Sequence, residues 1–397
     1  MLFSTDVGHP ASTGPGSARR YVVRWRLLDR LRRCLAQGCW LGIIACATTA
    51  HADGVTSAVY VRADTDDTLV VSPRIHASTH LTDPTQFDAT YAADVWTSAS
   101  VDIRASASKQ VTEQRNELDV GLAHQMGDVE VRGSYRYSVE NDYVSHGATF
   151  GTAVDLANKS STVALSAFGF QDVVGRAGDP MFSRALATLG GRATFTQLLD
   201  PRMFIQLNYE FGALRGYQAS PYRFVGIGAA ATGFGCVGAT QCFREHVPDL
   251  RVRHAFAALL RRALSSTLSL GADYRVYIDS WQQLSHTLSA QLAWSPSHDS
   301  LLALRYRFYT QRGAYFYSQI YTSQPDLTAY VTRDRELSPM YNQRLGLDLE
   351  TRSRLDAKHG SFVMHLAGGG VMYSYQAFVG LATVYALEIT LALGLEN

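Results

Sequence analysis

The end of the chain alternates strictly between apolar and polar or small positions. Between residues 387 and 395 every second residue is leucine or isoleucine, and residues such as Glu388 and Thr390 lie between them. A repeat of two sends successive side chains to opposite faces of a β-strand, so this segment predicts a strand with one apolar face. That face needs either a protein core or, in an outer-membrane barrel, lipid.

The same alternation recurs along the chain after residue 53. In each case one face is aliphatic or aromatic and the other is charged or hydroxylated. The clearest examples are residues 118–126, 129–138, 203–211, 268–278, 284–294, 302–308 and 344–352. The pattern is typical of strands that separate two different environments.

The connections between these segments take turns in length. Turn-forming links at residues 126–128, 200–201, 295–299 and 356–360 alternate with long ones at about 171–184, 214–248 and 311–338. Candidate strands from Val55 to Leu395 number about sixteen, and an even number from 14 to 18 fits the length. We therefore predict an all-β fold: a transmembrane antiparallel up-and-down β-barrel that forms one domain, residues 53–397.

The first 52 residues predict export. Seven arginines between Arg19 and Arg33 precede an apolar run at residues 40–47 and then Ala50, His51 and Ala52. This order is typical of a signal peptide with an A-x-A cleavage site, and the run is shorter than the ~20 residues of a membrane-spanning helix. An uncleaved anchor and lipoprotein cleavage before Cys46 are the alternatives. A cleaved signal and a barrel together predict the bacterial outer membrane.

Composition after cleavage narrows the function classes. Residues 1–52 contain seven of the 36 basic and two of the 35 acidic residues, which leaves 29 basic against 33 acidic. This balance argues against nucleic acid as a partner, because binding to nucleic acid needs a basic excess.

The polar residues of the exported part favour a membrane barrel. This part has three lysines, and its polar faces mix arginine with carboxylates, as a lumen of cross-strand pairs requires. A secreted soluble β-sandwich or propeller is the alternative. Many of the 21 tyrosines lie near strand ends, as in a membrane-interface girdle.

Two cysteines remain after cleavage, Cys236 and Cys242, in one Gly/Ala-rich segment. In an exported protein a disulfide is the expected outcome. A metal pair is the alternative, but no further His or Cys lies nearby at zinc spacing. We predict no metal and no cofactor, and the chain has no Cys-x-x-Cys-His motif for c-type haem.

Candidate catalytic chemistry is sparse. His76 and Ser78 share one strand face, as a base and a nucleophile would, but the local sequence offers no third orienting group. The acidic run Asp64, Asp66 and Asp67 fits either a hard cation or an ordinary Asp-rich turn. We expect ordinary strand and turn residues in both places, no catalytic residue, and a protein that is not an enzyme.

Charged residues on the polar faces are the stronger functional candidates. Rows of both signs would set a field across a water-filled pore, whereas full cross-strand pairing would fill the lumen with side chains. The Ser/Ala-rich segment at residues 97–112 is either an external loop or a constriction. The candidate pore-lining residues are Arg132, Arg136, Arg275, Arg305, Arg307, Arg344, Arg352, Asp119, Glu130, Asp273, Asp348 and Glu350.

These features favour a porin-like channel or transporter that passes small polar solutes by diffusion. A non-conducting scaffold or partner-binding barrel of an envelope or electron-transfer complex is the first alternative. An outer-membrane hydrolase is the remote one. Oligomeric state and solute are not predicted.

Several short stretches spread over most of residues 55–397 carry a resemblance to known sequences. They are residues 99–103, 106–108, 113–117, 140–143, 206–209, 220–222, 253–255, 273–275, 285–288, 305–311 and 315–317. Together they resemble a family of uncharacterised Gram-negative proteins, a domain of unknown function expected to form outer-membrane β-barrels. The resemblance implies an architecture and a location rather than an activity.

The resemblance also implies partners. Family members are often encoded near a thioredoxin-like protein, a small lipoprotein and a flavin transferase, which implies periplasmic or lipoprotein partners besides lipid and the barrel assembly machinery. Asn397 departs from the aromatic last residue usual in assembly signals.

Overall fold

The computed structural model of the protein describes most of the chain after the predicted signal. The described residues are 53–98, 111–228, 236, 238–322, 326, 329–355, 360–378 and 380–396. The predicted export signal at residues 1–52, the greater part of the Ser/Ala-rich segment and Asn397 lie outside them.

Eighteen strands form within the described ranges. The first nine are β1 (Gly54–Asp64), β2 (Thr68–Thr82), β3 (Thr85–Ser98), β4 (Val111–Met126), β5 (Val129–Val139), β6 (Tyr143–Leu156), β7 (Ser161–Val174), β8 (Arg184–Asp200) and β9 (Met203–Gly216). The others are β10 (Phe224–Ile227), β11 (Gln241–Arg244), β12 (Leu250–Ala263), β13 (Leu268–Asp279), β14 (Leu284–Ser297), β15 (Ser300–Gln311), β16 (Met340–Arg354), β17 (Ser361–Tyr375) and β18 (Thr383–Glu396). A short 3-10 turn, Arg335–Leu337, lies between β15 and β16. In these ranges no helix has the length and apolar character needed to cross a bilayer.

Sixteen strands close into one antiparallel barrel, and β10 and β11 form a separate hairpin. The strands follow one another around the wall in chain order, with β12 next to β9. The last strand closes on the first, where Val55 lies opposite Leu395 and Val61 opposite Ile389. Closure pairs the backbone of every strand on both sides, which a lipid environment requires. The predicted up-and-down barrel of about sixteen strands is confirmed.

The outer face of the wall is apolar. On β18, Leu387, Leu391 and Leu395 expose 42–46% of their surface. Leu345 and Leu347, which lie on the same face of β16, are even more exposed. Exposed leucines on neighbouring strands form a band that water would solvate poorly. This band is the lipid-facing surface of a membrane barrel.

The opposite face of each strand is the inner one, because its side chains reach across intervening strands. Arg344 on β16 donates to Glu388 on β18 over a distance of 2.9 Å, passing β17. The guanidinium of Arg62 on β1 lies 5.1 Å from the ring centre of Tyr373 on β17, passing β18. Side chains two strands apart converge in this way only on the concave side of a curved sheet.

The two ends of the barrel differ in loop length. At one end the connections are short, and at Gly127 the tight turn takes φ = +63°, which glycine adopts without strain. The other end has the predicted long connections, now bounded at residues 175–183, 217–249 and 312–339. In bacterial outer-membrane barrels the short turns face the periplasm.

A cluster of buried apolar side chains lies at the long-loop end of the barrel. It consists of Trp281, Val247, Ala314 and Phe316, and the Trp281 and Phe316 rings meet edge to face at 5.1 Å. We call the described parts of residues 217–249 and 312–339 the loop cap. Together with Trp281, from the connection between β13 and β14, the cap forms a small folded core.

Candidate functional site: the barrel lumen

All twelve candidate pore-lining residues lie on the inner face. Glu388 and Arg62 pair across β18 and β1, and both point inward. Paired residues on adjacent strands point to the same face, so the pairing of each strand with the next identifies the inward residues of the whole barrel. Each candidate is an even number of positions from an inward residue of its own strand. The inward set includes Asp119, Glu130, Arg132, Arg136, Asp273, Arg275, Arg305, Arg307, Arg344, Asp348, Glu350 and Arg352.

Some candidates pair with one another across adjacent strands. Arg136 donates to Asp119 at 2.9 Å, and Arg305 forms an ion pair with Asp348. Arg132 lies 3.7 Å from Glu130 on its own strand. These pairs follow the expectation that opposite charges face each other on one side of a sheet.

Other candidates pair with residues outside the candidate set. Arg352 donates to Glu396 at 2.8 Å, and Asp273 accepts a bidentate pair from Arg261 on β12. Within the described residues no ion pair joins Arg275, Arg307 or Glu350 to an oppositely charged side chain within 4.0 Å.

Part of the inner wall is accessible to solvent. The side chains of Arg132 and Arg305 point inward, yet they expose 53% and 50% of their surface. Ion pairs that filled the lumen would bury these side chains against one another. The inner charges therefore line solvent-filled space at these levels.

The loop cap links several connections at the long-loop end. The segment at 217–249 reaches the β5–β6 connection, where the Tyr222 hydroxyl donates to Asp142. The segment at 312–339 reaches the β1–β2 turn, where Arg335 lies 2.6 Å from Asp66. The two segments join each other where His246 and Val331 exchange backbone hydrogen bonds. The cap thus connects rim positions far apart around the barrel.

A buried carboxylate lies inside the cap. Glu245 accepts hydrogen bonds from the Thr332 hydroxyl at 2.8 Å and from the Arg333 backbone N–H at 3.0 Å. Arg223 lies 3.6 Å from Glu245 and 2.8 Å from Asp334. Burial outweighs the attraction to Arg223 and raises the pKa of Glu245 to about 7.

The two cysteines are joined in the cap. Cys236 and Cys242 form a disulfide with their Cα atoms 5.6 Å apart. Gly226 pairs with Cys242 in the β10–β11 hairpin, so the bridge fastens the segment that precedes β11 to that hairpin.

The residues considered for catalysis and for metal binding form hydrogen bonds with neighbouring strand and turn residues. His76 makes a 2.9 Å hydrogen bond with the Thr90 hydroxyl on β3. Asp64 accepts the backbone N–H groups of Asp66 and Thr68, at 3.0 and 2.9 Å, and closes the β1–β2 turn. In the described part of the chain no group of three or more His, Cys, Asp or Glu side chains is placed to hold a metal ion.

Several inward charges are missing from the sequence-based candidates. Arg192 pairs with Glu210 across β8 and β9 at 2.6 Å, and Arg251 pairs with Asp279 at the rim. Arg253 lies inward two positions from Arg251. The alternating pattern contains the signal for these residues, because each has the same parity as the candidates on neighbouring strands.

A closed antiparallel barrel with a lipid-type outer band and a charged, solvent-filled interior defines an outer-membrane β-barrel protein. The model of a family of unknown function, DUF3570, matches residues 183–361. The predicted resemblance to an uncharacterised family is confirmed over this stretch, which contains all of β8 to β16. No curated protein sequence matches the chain.

The chain is similar to several solved structures at low sequence identity. The CymD monoaromatic hydrocarbon channel is 8% identical with a TM-score of 0.41, and 87% of each chain is covered. The Pseudomonas putida toluene transporter TodX is 9% identical with a TM-score of 0.41, covering 87% of this chain and 90% of that one. A bacterial polysaccharide outer-membrane secretin is 7% identical with a TM-score of 0.47, covering 86% and 98%.

Proposed function

We propose that this protein is a porin-like outer-membrane channel that passes small polar solutes by diffusion, without covalent chemistry. The observation that carries the proposal is the solvent exposure of inward charges such as Arg132 and Arg305. Charged rings beside water-filled space select solutes by sign and by hydrogen bonding. Export through a cleaved signal at residues 1–52 and insertion by the barrel assembly machinery belong to the same proposal.

The loop cap gives the channel a constriction at its long-loop end. The segments at 217–249 and 312–339 meet through backbone hydrogen bonds between His246 and Val331, above a wall that is open to solvent below them. Size selection therefore belongs to the cap, and charge selection belongs to the inner wall.

Planar-bilayer recording of the refolded protein tests the proposal. We expect discrete steps of ion current in potassium chloride, because the exposed inner charges line space that water and ions can enter. A barrel that refolds, shown by β-sheet circular dichroism, and passes no current contradicts the channel function.

A second candidate is a non-conducting scaffold or partner-binding barrel of an envelope or electron-transfer complex, with the loop cap as the surface that binds a partner. The specific observation in its favour is the folded core at the long-loop end, where Phe316 of the cap is buried against Trp281. An absence of current together with an intact cap supports this candidate. A hydrolase role for His76 would require lipase activity that the change His76→Ala abolishes.

A further inference from the structure

The inner wall of the barrel is divided by charge. Strands β12 to β16 send nine arginines and four carboxylates inward, whereas β3 to β6 send three arginines and seven carboxylates. The basic side holds Arg251, Arg253, Arg261, Arg275, Arg305, Arg307, Arg344, Arg352 and Arg354 with Asp273, Asp279, Asp348 and Glu350. The acidic side holds Asp88, Asp94, Glu113, Glu117, Asp119, Glu130 and Asp155 with Arg115, Arg132 and Arg136.

These two sides face each other across the lumen. In the order of strands around the closed barrel, β3 lies eight positions from β13, and β5 lies eight positions from β15. Eight positions are half of a sixteen-strand circuit. A solute in the lumen therefore lies between a basic wall and an acidic wall.

Besides Arg354 at the short-turn end, three arginines on the basic side form no ion pair with a described residue. No carboxylate among the described residues lies within 4.0 Å of the guanidinium of Arg253, Arg275 or Arg307. Arg307 also lies directly opposite Arg344 in the pairing of β15 with β16, and the nearby carboxylate of Glu388 is already paired with Arg344. An anion beside Arg307 would supply the counter-charge that this arginine lacks.

Tyrosines join the three arginines into one surface. The Arg275 guanidinium lies 5.7 Å from the ring centre of Tyr277, and Tyr277 pairs with Ala255, two positions from Arg253. Tyr309 lies in one cross-strand row with Arg275, through Thr287 of β14, and two positions from Arg307 on β15. We call Arg253, Arg275, Arg307, Tyr277 and Tyr309 the arginine wall.

We propose that the arginine wall is a binding site for small oxyanions, which are solutes that carry a carboxylate or a phosphate group. Guanidinium groups recognise such groups through paired N–H donors. The hydroxyls of Tyr277 and Tyr309 already donate to Asp279 and Gln311, so the donors to a solute are those of the arginines. Arg275 and Arg307 are exposed to the lumen, so a solute reaches them without rearrangement of the wall. The proposal rests on the channel function for its physiological meaning, but binding itself does not require passage.

Titration calorimetry of the refolded protein with inorganic phosphate tests the proposed binding site. We expect saturable binding that Arg275→Gln and Arg307→Gln each weaken about tenfold, the loss typical of one charged hydrogen-bond partner. Arg192→Gln is the matched control, because it removes an inward arginine whose partner is Glu210. Arg275→Lys keeps the charge and loses the paired donors, so its binding falls between wild type and Arg275→Gln.

Bilayer recording separates this proposal from the channel function. Phosphate should reduce the chloride current of the wild type at lower concentration than that of Arg275→Gln. An ion current without phosphate binding overturns the binding site and leaves the channel function standing. Equal loss of phosphate affinity in Arg192→Gln and Arg275→Gln has the same meaning. Phosphate binding that depends on Arg275, in a barrel that passes no current, supports the binding site and overturns the channel function. An acetate titration distinguishes a carboxylate solute from a phosphate one.

Discussion

At the scale of single residues, Glu245 shows how burial sets a charge state in the loop cap. Its carboxylate accepts two hydrogen bonds, from Thr332 and Arg333, and shares Arg223 with Asp334. Burial is the largest influence, the negative charge of Asp334 adds to it, and Arg223 opposes both. The folded pKa of about 7 therefore exceeds the ordinary value of 4.5.

This difference predicts a pH dependence of cap stability. Between about pH 4.5 and pH 7 the folded cap holds a proton on Glu245 that the unfolded chain has lost, so the stabilisation falls as pH rises through 7. We expect amide hydrogen exchange in the cap to reveal more opening at pH 8 than at pH 5.5, after correction for intrinsic exchange rates.

Glu245→Gln provides the control for that experiment. The amide cannot ionise, so the opening free energy of the variant should be nearly constant over the same pH range. An equally steep pH dependence in the variant would assign the effect to another group.

At the scale of elements, each barrel strand has one face in lipid and one in water. On β18, Leu391 points outward between Val59 and Leu366, whereas Thr390 points inward between Tyr60 and Ala367. Two adjacent positions on a strand therefore differ in what they tolerate, because one side chain must suit lipid and the next must suit the lumen.

A charge at these two positions should have unequal effects. We expect Leu391→Arg to reduce the free energy of unfolding by about 2–4 kcal/mol, the typical cost of arginine on the lipid face near mid-membrane. Thr390→Arg should cost much less because the lumen solvates the guanidinium. Urea unfolding in lipid vesicles measures both, and equal losses would contradict the assigned faces.

The disulfide is an element-scale constraint within the cap. Reduction or a Cys236→Ser, Cys242→Ser variant should speed proteolysis within residues 217–249, because the bridge restricts the opened state of that segment. The melting temperature of the barrel should stay the same, since the bridge lies outside the barrel strands. A lower barrel melting temperature would show that cap and wall unfold together.

At the scale of the whole molecule, long-range contacts hold the cap to the rim. Arg335 lies 2.6 Å from Asp66 and 5.8 Å from the ring centre of Tyr375, and so ties the segment at 312–339 to the β1–β2 turn and to the end of β17. These contacts join residues from opposite ends of the chain.

Loss of this tie should open the cap. Arg333 is only 4% exposed, so trypsin should cleave after it slowly in the wild type. We expect Arg335→Gln to raise that cleavage rate roughly tenfold, as loss of a charged hydrogen bond implies. Arg352→Gln is the control, because its partner Glu396 lies at the short-turn end. An unchanged rate in Arg335→Gln would contradict the role of the Asp66 contact.

Strand faces were predictable because alternation is a local property of the backbone. The inward parity of Arg344 and the outward parity of Leu345 follow from the period of two alone. The partners of these residues were not predictable, because Glu388 lies two strands away from Arg344 and meets it only through wall curvature. The cap was missed for a similar reason: Glu245 and Thr332 are 87 positions apart, in segments without a regular period.

The sequence by itself determined the class of fold, since the repeated apolar faces and the alternating loop lengths are compatible with a closed up-and-down barrel. The final strand at residues 387–395 already carried that information, and the structure pairs it with β1. Only the tertiary structure decided which inward arginines keep a carboxylate partner and which do not. Closure of the barrel sets distances between strands far apart in sequence, and those distances leave Arg275 and Arg307 facing the water of the lumen.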